Sequence, residues 1–304
     1  MKYILRRIPL NGTSLLEIDE DQFLFLEKSQ SCLVAALTIE ENYELLLSNY
    51  LELEKDSLSI TCDAMIRTNQ RYSDFFDIRL QFNRRLVNLL TATKLYIDHV
   101  GQHVSSCMSS ETAESPDIPK LFSRYYDEHF EYRLMEALRN YVQHRGLAVH
   151  SASMGGQWTT PDKVNGHMEY QTGIYVHKDK VLKDSKFKKA VAREMPDKVE
   201  LINAVRVYIE SLSQIHNEIR SIVREDVLCA REAIDSTVGK FDGEDGKRPI
   251  GVEVVSVHAD NERPIKDSFY LLLEWDNIRL ELEKSNKPLT NLHKRYVSGK
   301  AYNN

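Results

Sequence analysis

Apolar residues recur at steps of three and four along most of the chain, and this pattern predicts a mainly α-helical fold. One run extends from Thr38 to about residue 57, where Asp56 and Ser57 are expected to end the helix. A second run, from about Asp63 to Ser105, is long enough for the spine of a helical bundle. The strictest pattern follows Pro196 and is typical of a helix packed along another helix: Ile202, Val205, Ile209, Leu212, His216, Ile219 and Val223.

A further helix is predicted between a polar break at residues 109–117 and Gly146. Pro116 and Asp117 are suited to its start, and Gly146 is suited to cap its C-terminus, so it should run to about Arg145. Its apolar positions give it one buried face: Leu121, Phe122, Tyr125, Phe130, Leu134, Leu138 and Val142.

Strand-like patterns interrupt the helices. Residues 2–10 and 22–27 are predicted as short strands. Residues 147–180 are predicted as a β-hairpin inserted between bundle helices, with a turn at Gly155-Gly156. Near the C-terminus, Ile250–Val257 is predicted as a strand and Phe269–Trp275 as a mixed apolar segment.

These elements predict a helical bundle with a β-hairpin insertion and small α/β extensions at the termini. No internal repeat indicates a solenoid. The expected organisation is an N-terminal mixed segment at 1–35, a helical bundle formed by 36–146 and 190–241, the insertion at 147–180, and a small C-terminal extension at 250–304.

Charge and cysteine content narrow the function classes. The 304 residues carry a net charge of -6, so RNA binding would depend on local basic patches. The four cysteines lack paired spacing, as in proteins of a reducing compartment, and no zinc site is indicated. No stretch reads as a signal peptide or membrane span, so we expect a cytoplasmic protein. Three basic patches are candidates: Arg79/Arg84/Arg85, Lys186/Lys188/Lys189 and Lys247/Arg248.

The hexapeptide Arg139-Asn140-Tyr141-Val142-Gln143-His144 is the main candidate for chemistry. The spacing Arg-x4-His also begins at Arg124 and at Arg145, but Arg139 is followed directly by the polar Asn140, where Arg124 has Tyr125 and Arg145 has Gly146. Histidine titrates near neutral pH, and arginine can bind phosphate through two hydrogen bonds. The alternative is a solvated helix end whose cationic residues are favoured by the helix dipole.

The segment Glu136–Gly146 resembles the signature of the HEPN superfamily, in which an Arg, a polar residue and a later His lie at the end of a bundle helix. The resemblance implies an HEPN-like antiparallel helical bundle and a metal-independent endoribonuclease of toxin–antitoxin or antiviral defence systems. It also implies a homodimer that brings two motifs into one cleft, with an antitoxin or defence-system protein as a further partner. No cofactor or metal is expected.

Within this resemblance Arg139, Asn140 and His144 are the catalytic candidates, and Arg145 and Gln143 the substrate-binding candidates. The expected reaction is attack of a ribose 2′-hydroxyl on the adjacent phosphodiester. Related toxins often carry a modifiable tyrosine two positions after the His, where this chain has Gly146. An antitoxin that acts by modifying this position is therefore not indicated.

Helical geometry raises a difficulty for this assignment. Asn140 and His144 should share a helix face, whereas Arg139 should lie about 140° around the helix from His144. The sequence also leaves open a non-catalytic alternative, a dimerising scaffold or an RNA- or nucleotide-binding module. Elsewhere, His99 and His103 are expected to be surface residues rather than metal ligands, and His216 a hydrogen-bonded core residue.

Overall fold

The computed structural model describes residues 1–8, 15–67, 71–108, 116–162, 166–241, 251–258 and 265–298. It is mainly helical with small antiparallel sheets, as the sequence predicts. The helices are α1 (Glu20–Ile66), α2 (Tyr72–Cys107), α3 (Ile118–Glu128), α4 (Phe130–His144), α5 (Lys178–Val181), α6 (Lys189–Glu194), α7 (Leu201–Gly239), α8 (Glu274–Ser285) and a 3-10 turn at Leu292–Lys294. Within the described residues, none of these helices is long and apolar enough to cross a membrane.

Helix α1 differs most from its prediction. It begins at Glu20, so the strand predicted at 22–27 is wrong, and it continues through the break predicted at Asp56 and Ser57. Asp56 does not end the helix because its carboxylate accepts a hydrogen bond of 2.7 Å from Nε of Arg85 on α2. A tertiary ion pair thus offsets the weak helix propensity at this point.

The helix predicted from 117 to 145 is two helices, α3 and α4, which are separated at His129. His129 has an extended backbone, with φ -118° and ψ 120°. The start is as predicted, since the Asp117 side chain accepts from the backbone N–H of Lys120 at 3.0 Å. Arg133 stabilises the break by donating to the backbone oxygens of Tyr126 and Asp127 at 2.8 and 2.7 Å.

The end of α4 is close to its predicted position, but its cap is different. Arg145 is the C-cap residue, and the backbone N–H groups of both Arg145 and Gly146 donate to the carbonyl oxygen of Tyr141, at 2.8 and 3.2 Å. Glycine at position 146 lets the Tyr141 side chain come close to the backbone, because a Cβ there would lie 3.1 Å from the Tyr141 hydroxyl. Tyr141 is therefore folded back over the end of its own helix.

The hairpin predicted at 147–180 is present as β3 (Ser151–Trp158) and β4 (Met168–His177), paired antiparallel. The predicted turn at Gly155-Gly156 is wrong, because both glycines lie inside β3. A third strand, β5 (Lys198–Glu200), pairs with β4 and was not predicted, since three residues are too few to show a period.

A second sheet has the strand order β2-β1-β6-β7. Strand β1 (Lys2–Ile8) and strand β6 (Gly251–Val257) confirm two predictions. Strand β2 (Leu15–Ile18) was not predicted. The segment predicted as mixed at 269–275 contains the end of β7 (Ile265–Leu271) and the start of α8.

The chain divides into two compact units. Unit 1 comprises residues 1–44, 98–116 and 218–287, and unit 2 comprises residues 45–97, 117–217 and 288–304. Unit 1 contains the four-stranded sheet and a buried ion pair in which Glu40 accepts from Arg220 at 2.7 Å. Unit 2 contains α3, α4 and the three-stranded sheet, and thus the whole hexapeptide motif.

The core of unit 2 includes the apolar face of α7, which the strict pattern after Pro196 predicts. Tyr208, Ile209 and Leu212 are fully buried there. His216 is also buried, and its Nδ1 lies 2.9 Å from the hydroxyl of Tyr96. The prediction that His216 is a hydrogen-bonded core residue is confirmed.

Candidate functional site

The last turns of α4 form one wall of an open cleft in unit 2, with a volume of about 550 Å³. The opposite wall is the connection between α5 and α6. Ala137 and Phe187 are the apolar residues of the lining. Its polar and charged residues are Asn140, Tyr141, His144, Arg145, Asp184, Lys186 and Lys188.

Asn140 and His144 both line this cleft and are both exposed. The prediction that they share a helix face is confirmed. Arg145 follows at the helix end, and its Nε lies 3.1 Å from Oδ1 of Asp184, a carboxylate that is itself almost buried. This ion pair joins the end of α4 to the α5–α6 connection.

The α5–α6 connection is held in a tight turn that presents two lysines. Asp184 accepts from the backbone N–H of Lys186 at 3.1 Å through its side chain, and from that of Phe187 at 3.1 Å through its backbone oxygen. Phe187 is buried beneath the turn. Lys186 and Lys188, on either side of it, line the cleft.

Lys188 is also held from the side of α3. Its Nζ lies 3.1 Å from the hydroxyl of Tyr126 and 4.9 Å from the centre of that ring. Residues 178–193 contain seven Lys and Arg against two Asp, a net charge of +5 in a chain whose net charge is -6. The cleft therefore borders the strongly basic segment of an acidic protein, and anionic ligands are favoured there.

Arg139 is not among the described residues that line the cleft. Its Nη2 donates to Oδ1 of Asn140 at 2.8 Å and lies 3.7 Å from the carboxylate of Glu136. Only 12% of its side chain is exposed, and its Nε is buried with no hydrogen-bond partner. Arg139, an expected catalytic residue, is thus mostly buried and does not line the cleft that Asn140 and His144 line.

Behind Arg139, a chain of polar contacts leads into the core of unit 2. Glu136 accepts a hydrogen bond of 2.8 Å from the hydroxyl of Tyr208 on α7, and the Tyr208 ring packs edge-on against Tyr132 at 4.8 Å between centres. Burial, followed by the charge of Glu136, raises the pKa of both Tyr132 and Tyr208 well above the ordinary value, so both hydroxyls stay neutral. The chain Tyr208–Glu136–Arg139–Asn140 thus runs from buried α7 to the rim of the cleft.

Two histidines, His150 and His177, lie near Tyr141. The rings of Tyr141 and His150 are 6.3 Å apart, and Nδ1 of His150 accepts from the backbone N–H of His177 at 3.0 Å. Nε2 of His177 lies 2.6 Å from Oγ of Ser151. Burial, with the nearby His177, lowers the pKa of His150 to about 4, so this side chain is neutral at pH 7.

Three further candidates were predicted from the sequence, namely Gln143 and two other basic patches. Gln143 is exposed but is not among the described residues that line the cleft. In the patch predicted at Arg79/Arg84/Arg85, Arg85 is paired with Asp56 and Glu52. The patch at Lys247/Arg248 lies outside the described residues.

The sequence pointed separately to the end of α4 and to the basic patch Lys186/Lys188/Lys189, but it gave no sign that both line one cleft. It also missed Asp184, Glu136 and Tyr208, which hold the walls and the motif in place. In the described parts of the chain, no group of three or more His, Cys, Asp or Glu side chains is arranged to hold a metal ion. Comparison with protein-family models, with curated proteins and with solved structures gave no match.

Proposed function

We propose that the protein is a metal-independent endoribonuclease. It binds RNA in the cleft between the end of α4 and the α5–α6 connection, and it cuts the RNA by attack of a ribose 2′-hydroxyl. The observation that carries the proposal is the convergence of one exposed imidazole, His144, with Arg145, Lys186 and Lys188 around a single cavity. An imidazole can move a proton near neutral pH, and a group of cations can stabilise the charge that develops on phosphorus.

The proposed roles follow from the contacts. His144 takes the proton of the 2′-hydroxyl, whose oxygen forms a bond to phosphorus. The bond from phosphorus to the 5′-oxygen breaks, and that oxygen leaves with a proton from solvent or from a cleft ammonium. The products are a 2′,3′-cyclic phosphate and a 5′-hydroxyl end.

Asn140 is the proposed link between substrate and scaffold. Because its Oδ1 accepts from Arg139, its amide nitrogen remains to donate to a phosphate oxygen in the cleft. Arg139 then positions Asn140 from behind and is not the phosphate ligand that the HEPN resemblance implies. Lys186 and Lys188 replace it as phosphate-binding cations, and the cleft of one chain suffices for the reaction.

The test is incubation of the purified protein with a single-stranded RNA in the presence of EDTA, beside the His144→Ala protein. We expect wild-type cleavage that survives EDTA, leaves cyclic phosphate ends and spares the same sequence made of DNA. Ends that carry a 5′-phosphate, or cleavage of the DNA, would contradict the 2′-hydroxyl mechanism.

A non-catalytic RNA-binding module is the second candidate, and the ion pair between Arg145 and Asp184 favours it. The pair neutralises Arg145 as a cation for the charge that develops on phosphorus, whereas Lys186 and Lys188 can still bind an anionic RNA. In that case wild type and His144→Ala would bind RNA equally well, and neither would cleave it.

A further inference from the structure

Two of the four cysteines, Cys32 of α1 and Cys107 at the end of α2, are in contact inside unit 1. Both are buried, and Sγ of Cys107 lies 3.5 Å from the backbone oxygen of Cys32. We propose that these two thiols form a peroxide-sensitive pair, which is oxidised to a disulfide that links α1 to the end of α2.

The pair is hidden in the sequence because its members are 75 residues apart. Small buried side chains allow the close approach. On α1, Ser29, Cys32 and Ala36 recur at steps of three and four, and all three are buried. On α2, Val104 and Cys107 are buried one turn apart. The thiols therefore meet where two helices pack, and not in a loop that could separate them easily.

The two side chains already interact directly. The Cys107 thiol forms a hydrogen bond with the Cys32 thiol and also approaches the Cys32 backbone oxygen. A disulfide has an S–S bond of about 2 Å, and rotation about the side-chain bonds of two touching thiols can close it.

The two thiols differ in acidity. The hydrogen bond from Cys107 lowers the pKa of Cys32 by more than burial raises it, whereas the same bond, followed by burial, raises the pKa of Cys107. A thiolate is the form of cysteine that attacks an oxidant. Cys32 is therefore the attacking residue, and Cys107 keeps its proton until it closes the disulfide.

Hydrogen peroxide is the proposed oxidant, because it is small enough to reach a buried sulfur. The Cys32 thiolate attacks one peroxide oxygen, the O–O bond breaks, and the released hydroxide takes up the proton that the thiol lost. Cys32 is now a sulfenic acid. The Cys107 sulfur attacks the Cys32 sulfur, the S–O bond breaks, and the oxygen leaves as water with the Cys107 proton. Two thiols are oxidised, and one peroxide is reduced to two waters.

The disulfide would close a long loop and so restrict the unfolded chain. We expect the oxidised protein to unfold at a temperature about 5 °C higher than the reduced protein. The inference does not depend on the proposed ribonuclease activity, since the pair belongs to unit 1 and the cleft belongs to unit 2.

The test uses the full chain with Cys62→Ser and Cys229→Ser, which removes the two exposed cysteines and leaves the buried pair unchanged. The folded protein is treated with hydrogen peroxide and then unfolded in the presence of an alkylating agent. We expect a mass lower by two hydrogen atoms, no alkylation and a monomer on a non-reducing gel. Dithiothreitol should restore two alkylated thiols.

The matched control is Cys32→Ser with Cys107→Ser, which keeps only the exposed cysteines. Peroxide should not give it an intramolecular disulfide or a higher unfolding temperature. Because the main measurement leaves the buried pair intact, it does not depend on the folding of this variant.

Single variants in the background without exposed cysteines test the two roles. Cys107→Ser should leave Cys32 as a sulfenic acid that dimedone captures, since the serine hydroxyl can still donate to Cys32. Cys32→Ser should give no dimedone adduct. Two free thiols after peroxide treatment, a gain of oxygen without a disulfide, or a disulfide only between two molecules would each overturn the proposal.

Discussion

Nη2 of Arg139 donates a hydrogen bond of 2.8 Å to Oδ1 of Asn140, so these two adjacent residues of the motif act as one unit at the rim of the cleft. The guanidinium lies on the inner side and the amide on the cleft side. The bond fixes which end of the amide faces a ligand. The properties of the cleft should therefore depend on a residue that does not line it.

Asn140→Asp tests the direction of this amide. A carboxylate keeps the acceptor for Arg139 but removes the donor to phosphate and adds a negative charge to the cleft. We expect RNA affinity to fall by at least about 10-fold with thermal stability unchanged or raised. Fluorescence anisotropy with a labelled RNA and thermal unfolding are the two measurements, and unchanged affinity would remove Asn140 from the binding site.

Arg139→Met tests the positioning role. Loss of the guanidinium removes the hydrogen bond to Asn140 and the ion pair with Glu136, so we expect a loss of about 1–3 kcal/mol in unfolding free energy. The turnover number should fall by about 10- to 100-fold through misplacement of Asn140. KM should rise less than the affinity falls in Asn140→Asp, because the amide keeps its donor and the cleft gains no negative charge. A rise in KM with an unchanged turnover number would instead identify Arg139 as a phosphate ligand. Arg139→Lys should not restore activity, because an ammonium lacks the planar donor geometry.

The sequence predicted features that depend on the local helical repeat, and it missed features that depend on specific side-chain contacts. Asn140 and His144 were placed on one face correctly, because a four-residue step in a helix is a local relationship. The break at His129 depends on Arg133 capping α3, and the continuation of α1 past Asp56 depends on Arg85 of α2. Arg133 reaches back only six and seven residues and Arg85 reaches from a separate helix, but neither contact is part of a helical repeat in the sequence.

The same reasoning applies to the site. Lys186 and Lys188 were recognised as a basic patch, but their place opposite His144 depends on Asp184 reaching Arg145 across 39 residues of sequence. The inward direction of Arg139 depends on Glu136 and on buried Tyr208 of α7. The motif therefore marked a helix end that lines the cleft, but the local pattern could not show that Arg139 is mostly buried beside it.

His144→Ala tests catalysis against a neighbouring control. His144 is exposed, so its removal should change the unfolding free energy by no more than about 0.5 kcal/mol. Removal of the proton-transfer group should lower the cleavage rate by at least about 100-fold. Gln143→Ala is the control, since Gln143 is an exposed neighbour that is not among the described residues lining the cleft, and we expect its activity to stay within about two-fold of wild type. Equal losses in both variants would point to damage of the helix end rather than to chemistry.

Lys186→Gln and Lys188→Gln test the electrostatic part of binding. Each lysine that contacts a phosphate should contribute about 0.7 to the slope of log affinity against log salt concentration for a single strand. We therefore expect each variant to lower the slope by about that amount and the double variant by about twice as much. Lys178→Gln is a control from the same basic segment, because the Lys178 ammonium donates to the backbone oxygen of Met195 at 2.8 Å and is committed to the fold. A slope that changes with Lys178 and not with the other two would place the RNA elsewhere.

His150 gives a prediction for the pH dependence of stability. Its pKa of about 4 in the folded protein lies below the ordinary value of 6.5, so the unfolded chain binds a proton more readily between these values. The stabilising contribution of neutral His150 is therefore complete above pH 6.5 and is lost as the pH falls toward 4. His150→Asn preserves an acceptor for the backbone N–H of His177 but does not titrate. Urea unfolding at pH 7.5, 6.0 and 5.0 should show wild type losing stability relative to this variant as the pH falls. A constant difference between the two proteins across this range would show that His150 is protonated equally in both states.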